Sequence, residues 1–439
     1  MAIHMQPLRF TGGELVKIAR LPLVWAVIVL CALVNLLMAA AATPANTVAR
    51  YNYASAVAVA IGGKVGPEFD RALALIGPSG GAASSRGATS SGSAASSSGT
   101  TPPDTETVPD AKPTTSPVII ARIPKESTMT ADELHRQLTA ITHGATNTLA
   151  GYDATATRDA MLAQVAGDPA ATWLMQRKYD AYAARVAHLA STGAALDLAA
   201  GSATDPTLNH WTNMTGYLFF ETCTLAVLLM ALALGYERTA GTEQLMMATR
   251  VGRRLVAPKI AAGLIASTIA YLLLVAAIVI PYLMVFDVRG VWSASVTSQF
   301  NTVFGQRPFV TWWNLTIGQY LFVRLALGLA ITLCFALFTA TLGLLMRNTF
   351  AVAGCVGIAV VLVIGIVGAA HATGLPWVAW IGGFNPVGVL LLREQWFTEL
   401  GLDAPTAFWE TGVTACSLVY LTAALTAAWR AFRHRDLAA

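Results

Sequence analysis

Two ionisable residues lie inside runs that are otherwise apolar: Glu221 about eight residues into one run and Arg324 about nine residues into another. A charge held in hydrocarbon costs roughly 2.5–3.5 kcal/mol on insertion scales, so such a residue is paired or put to use. With a rise of about 1.5 Å per residue, both sit roughly 12–14 Å below the same boundary. Equal depth predicts an intramembrane pair between Glu221 and Arg324, which would either fix helix packing or meet a substrate or a proton. A second concentration of charge stands between two apolar runs, in GYERTAGTEQLMMATRVGRRLVAPK, residues 235–259. There Arg250, Arg253, Arg254 and Lys259 fall within ten positions, close to Glu237, Glu243 and the pair Met246–Met247. Basic residues at a membrane surface gain about 1 kcal/mol each from anionic headgroups. Carboxylates and flexible methionines on the same short stretch fit instead a surface that repacks against a moving partner.

Other chemistry is missing from the sequence. None of the six lysines stands in a G-x-x-x-x-G-K-[ST] phosphate loop, and Gly63-Lys64-Val65 lacks the Ser or Thr that would hold Mg²⁺. Neither H-E-x-x-H nor G-x-S-x-G occurs, and the seven histidines are scattered singly. No catalytic residue, metal ligand or cofactor site is assigned to this chain. It is not expected to hydrolyse ATP by itself, and no nucleic-acid partner is expected.

The elements that must position these residues follow from composition. With 55% apolar and 12% charged residues and a mean hydropathy of +0.57, the chain is too apolar for a soluble domain of 439 residues. A bilayer core about 30 Å thick needs roughly 20 apolar residues per helix. Six runs meet that demand, at about 21–42, 214–235, 260–286, 315–345, 349–371 and 410–430. The fold class is therefore an all-α polytopic membrane protein with six transmembrane helices, both termini on one side. If that side is cytoplasmic, twelve Lys and Arg fall in inner segments against Arg289, Arg307 and Arg393 in the short outer loops, as the positive-inside rule requires. Trp211, Trp292, Trp312, Trp313, Trp377, Trp380, Trp396 and Trp409 gather at the outer boundary as an interfacial belt. The expected location is a cell membrane, multi-pass, with residues 43–212 extracellular. All five cysteines lie in predicted spans, so the outer region is not a disulfide scaffold.

Three regions result. Residues 1–42 hold an N-terminal interfacial helix and the first span. Residues 43–212 are expected to form an extracellular helical domain. Within it, 77–117 is a Ser/Gly/Pro-rich loop unable to bury enough apolar surface to order itself. Thr130 with Glu133 predicts a capping box before a helix with Leu134, Leu138, Ile141 and Leu149 on one face. Pro169 opens another helix, in which Thr172, Met175, Tyr179, Tyr182, Val186 and Leu189 recur at steps of three and four. Residues 213–439 carry the other five spans, the inner loop 236–259 and an outer hairpin, 375–409. In the fifth span Gly354, Gly357, Gly365 and Gly368 fall within an arc of about 80°. Such a stripe lets another helix approach closely, from this chain or from a second copy.

The inner loop resembles that between the second and third spans of ABC-2 type permeases: Glu237, then Gly241-Thr242, Leu245, Arg253 or Arg254, and Lys259. TGGELVKIARLPLVWAVIVL, with Glu14 and Lys17, is similar to the N-terminal interfacial helix and first span of that family. WRAFRHRDLAA is similar to its basic tail, and WVAWIGGFNPVGVLLLREQWFTEL to the helical hairpin dipping into the outer leaflet. The resemblance covers roughly residues 8–42 and 213–437, and the large outer region is a departure from the compact members. It implies the transmembrane subunit of an ABC exporter, in which two permease copies or paralogues, set in membrane lipid, form the pathway. A separate ABC ATPase subunit binds ATP and Mg. Glu237, Gly241, Thr242, Glu243, Leu245, Met246, Arg250, Arg253 and Arg254 would couple to that subunit. The alternatives are an ion-coupled secondary transporter and a membrane-anchored sensor or scaffold that uses its outer domain.

Overall fold

In hydrocarbon a backbone has no partner but itself, so long apolar runs become helices. The computed structural model describes residues 6–76, 123–198, 208–242, 255–298, 302–303, 307–346 and 348–434. Helix α1 (Gln6–Ala19) meets α2 (Pro22–Ala42), the first span. Four shorter or peripheral helices follow: α3 (Ala45–Ile61), α4 (Pro67–Leu75), α5 (Ala131–Thr142) and α6 (Ala154–Ala163). Next come α7 (Pro169–Thr192), then α8 (Leu208–Thr239), α9 (Val256–Val285), α10 (Ile317–Leu345) and α11 (Thr349–Thr373). The short helices α12 (Pro376–Gly382) and α13 (Pro386–Leu391) precede the last span, α14 (Trp409–His434). Among the described residues six helices are long and apolar enough to cross a membrane, as expected: α2, α8, α9, α10, α11 and α14. The described ends of the chain share one face of this bundle, the termini face. The connections carrying α3–α7 lie at the other, the loop face.

The helices of the long connection begin as their sequences dictate. Thr130 accepts a hydrogen bond from the Glu133 amide at the start of α5, and Asp168 caps α7 ahead of Pro169. Met175, Tyr179, Tyr182, Val186 and Leu189 form the buried face of α7, at the predicted spacing. These helices do not close a core of their own. Val48, Tyr51, Val57 and Phe69 of α3 and α4, with Leu134 and Leu138 of α5, pack with Tyr282, Phe286, Val291 and Leu321 at the loop-face ends of α9 and α10. Met175, Tyr179, Tyr182 and Leu189 of α7 pack with Val310, Ala370, Ala379 and Trp380. The described parts of residues 43–212 thus form two lobes whose cores are shared with the membrane helices and their connections. The stretch 77–117 lies outside the described residues.

Helices α12 and α13 join in a tight hairpin turn, where a side chain on Gly388 would run into the backbone of Gly383. Asn385 caps α13 by accepting from the amides of Val387 and Gly388. The segment after the hairpin holds Phe397 and Leu400 at positive φ, and α7 clamps it there. Lys178 Nζ donates to the carbonyls of Gly401 at 2.5 Å and Ala404 at 2.8 Å.

The centre of the bundle is α8 and α10, whose apolar stretches are 67% and 56% buried against 17% in α2 and 11% in α11. Close approach of α8 and α10 depends on Gly328, where a side-chain carbon would strike the Phe219 ring. The predicted glycine stripe of α11 behaves differently. Nothing lies within 4 Å of a carbon placed on Gly354, Gly357, Gly365 or Gly368, so no described part of this chain is the neighbour those glycines admit. Gly328→Ala is expected to lower stability by about 1–3 kcal/mol through overpacking, and Gly357→Ala to leave the isolated chain unchanged. Melting of the two purified variants in one detergent checks both.

Candidate functional site

At the termini face, α8 ends as the Gly-Thr pair predicts. Gly241 takes φ +68°, while the Thr242 amide donates to the Glu237 carbonyl at 2.9 Å and the Gly241 amide to Arg238 at 3.2 Å. This is a Schellman stop, which favours a residue without a side chain at the left-handed position. Arg238 donates to the carbonyls of Gly343 at 3.1 Å and Met346 at 2.8 Å, closing the end of α10.

The stop leaves Glu237 in the last turn of α8, turned into the protein and 6% exposed. One carboxylate oxygen accepts from Lys17 Nζ of α1 at 3.0 Å and the other from Lys259 Nζ in the first turn of α9. Lys17 also donates to Glu14 at 2.8 Å. Glu14 and Lys259 are buried as well, while Lys17 reaches in from a partly exposed position, so two acids and two cations cancel there. Burial opposes the charge on Lys17, yet its bonds to Glu14 and Glu237 outweigh that and raise its pKa above the ordinary 10.5. The cluster ties α1 and α9 to the end of α8 at the base of the inner loop. Glu237 is therefore an internal tie, and not the free carboxylate that the loop was expected to offer a partner. Its signal in the sequence was two opposite charges, Glu237 and Lys259, ending one span and beginning the next. Of the other expected coupling residues, Gly241 and Thr242 are exposed. Glu243, Leu245, Met246, Arg250, Arg253 and Arg254 lie outside the described residues.

The expected pair of Glu221 and Arg324 does not form. Arg324 is fully buried and donates to Thr215 Oγ1 of α8 at 2.8 Å, to Tyr320 at 3.3 Å and to the Arg393 carbonyl at 2.5 Å. Its guanidinium lies over the rings of Phe219 and Trp396, 5.7 and 5.3 Å from their centroids. Arg324 thereby joins α8, α10 and the turn after α13. Glu221 accepts from Asn35 Nδ2 of α2, which also donates to the Cys31 carbonyl at 2.9 Å. The expected equal level does not hold, and azimuth also separates the two residues: Arg324 meets Thr215, whereas Thr222, next to Glu221, meets Thr332, eight positions further along α10. Thr215 and Glu221 are six positions apart, about 240° around α8, so the face that meets α10 is not the face that meets α2. Asn35, a polar residue inside the first span, was the signal that sequence reading missed.

One apolar cavity of about 230 Å³ lies under the hairpin, between Phe335 and Phe338 of α10, Val360 of α11, Asn385, and Tyr420 of α14. No ionisable carboxylate or basic residue lines it. Among the described residues no group of His, Cys, Asp or Glu is placed to hold a metal ion.

This arrangement defines an all-α, polytopic membrane protein with a buried charge cluster at one face and a clamped hairpin at the other. No family model matches the chain, and no curated protein and no solved structure matches it either.

Proposed function

We propose that the chain is the permease subunit of an ABC exporter, working with a separate ATPase subunit and with a second permease copy or paralogue. The observation that carries this reading is the Glu14–Lys17–Glu237–Lys259 cluster. A push on the loop between Thr242 and Leu255 acts on the ends of α8 and α9 together, and Lys17 passes it to α1. A loop that served only as a topological anchor needs no such tie. In this reading the termini face is cytoplasmic, residues 43–212 are outside, and the pathway is driven by ATP bound to the partner.

The test separates the loop from the tie. Met246→Asp changes the loop and leaves the cluster intact, so the permease should insert and melt normally while the soluble ATPase no longer co-purifies and transport falls. A complex that retains both its ATPase and full transport after this change rules the reading out. An ion-coupled carrier is the second reading, favoured by Glu410, which is fully buried with Oε2 unpartnered among the described residues. Transport abolished by an ionophore and indifferent to ATP depletion would decide for it.

A further inference from the structure

Helix α8 exposes the wrong residues for a lipid-facing helix. Between Met214 and Arg238 its exposed positions are Tyr217, Phe220, Thr224 and Tyr236, and none is aliphatic. Of its aliphatic residues, Leu218, Leu225 and Leu229 are buried and Val227, Leu228 and Leu232 half-buried. Neighbouring spans do the reverse: α9 exposes Ile269, Leu272 and Ile280, and α11 exposes Ile358, Val361 and Leu362. Glu221 stands within this largely aromatic strip, partly accessible, four positions after Tyr217 and three before Thr224. On a helix those three share one face.

The surroundings of Glu221 lack a cation. Its carboxylate accepts from Asn35 Nδ2, and no Lys, Arg or His of the described residues comes within ion-pair distance. Contrast Glu237, where a lysine meets each oxygen. The nearby guanidinium of Arg393 lies 4.8 Å from the Phe220 ring centroid and 3.7 Å from the Glu394 carboxylate, and so is directed elsewhere. A carboxylate within a span is costly unless it is matched, and no described group of this chain supplies the match.

We propose that Glu221, oriented by Asn35 and flanked by Tyr217 and Phe220, is a binding site for a lipophilic organic cation. The carboxylate supplies the charge, Tyr217 adds cation–π attraction, and Phe220, over which Arg393 already lies, accepts an apolar substituent. The strip has the composition of a pathway wall rather than of a lipid face. The substrate class rests on the permease reading only for its movement across the membrane, since binding needs no partner.

The test is equilibrium binding of radiolabelled tetraphenylphosphonium to the full chain in uncharged maltoside micelles, with tetraphenylborate as a probe of the same shape and opposite charge. Saturable binding of the cation is expected, weakened at least about tenfold by Glu221→Gln and partly retained by Glu221→Asp. Melting and size-exclusion of each variant verify its fold, and Tyr217→Ala gives a second, milder loss should Glu221→Gln be poorly folded. Displacement by added phosphatidylcholine would assign the site to a lipid headgroup's quaternary ammonium, and indifference to it would assign the site to a free cation. No saturable binding to the wild type, equal binding by Glu221→Gln, or tighter binding of tetraphenylborate would overturn the proposal. The co-purification of the ATPase with the wild-type chain is measured separately, so loss of the permease reading leaves this result standing, and the reverse.

Discussion

Glu237→Gln should cost the folded protein about 3 kcal/mol or more, because breaking a buried ion pair strands its partner. The stranded group is Lys259, 3% exposed and held by Glu237. Folded yield after extraction, and the midpoint of unfolding, should both fall sharply. The double change Glu237→Gln with Lys259→Met removes the stranded charge and should recover much of the loss. If the double variant is as poor as the summed singles, the two side chains are not coupled. Lys17→Met should be milder, since Lys17 is more exposed and Glu237 keeps Lys259. The pH dependence has a definite sign. A lysine whose folded pKa is raised contributes its full stability below the unfolded value and loses it as pH rises through the folded value. Burial opposes that rise in Lys17, and Glu14 and Glu237 produce it, so its contribution is constant at neutral pH and fades only above about 10.5.

Arg324→Gln should be as damaging, again about 3 kcal/mol, since it leaves Thr215 and the Arg393 carbonyl without their donor and empties the space between Phe219 and Trp396. Arg324→Lys should not restore the loss, because an ammonium cannot reproduce the planar fork that bonds two elements while stacking on two rings. Glu221→Gln should fold normally, as Asn35 can still donate to the remaining carbonyl oxygen. The Glu221→Gln, Arg324→Gln double variant should therefore match the Arg324 single to within about 0.5 kcal/mol. A large coupling in that cycle would contradict the separate partners seen for the two residues.

Much of the architecture was legible because the bilayer simplifies the problem. A helix about 20 residues long is required wherever the chain crosses, so α2, α8, α9, α10, α11 and α14 could be read from apolar length alone. Local chemistry was equally legible. Thr130 starts α5, Pro169 follows the cap of α7, and Gly241 stops α8, each through contacts within a few residues. The buried face of α7 followed from steps of three and four, since helical period does not depend on what the face meets.

Partners across the bundle were not legible, and the reason is that each helix can rotate about and slide along its axis against its neighbours. Sequence gives the spacing of residues along a helix through its fixed rise, but the rotation and level of that helix are set by packing with its neighbours. Glu221 and Arg324 stand at different levels of the packed pair, since Arg324 meets Thr215 while Thr222 meets Thr332, and α8 turns Thr215 toward α10 and Glu221 toward α2. Glu237 looked like a free carboxylate on a charged loop until the positions of α1 and α9 brought Lys17 and Lys259 to it. The lobes of residues 43–212 followed their own periodicity, but only the tertiary structure seated them on the ends of α9 and α10 and on the hairpin. The sequence by itself determined the six apolar spans and the caps and stops of several helices, because local backbone and solvent rules govern those. Tertiary packing alone decided which charges meet and which, like Glu221, meet no cation among the described residues, because those depend on distances between segments far apart in the chain.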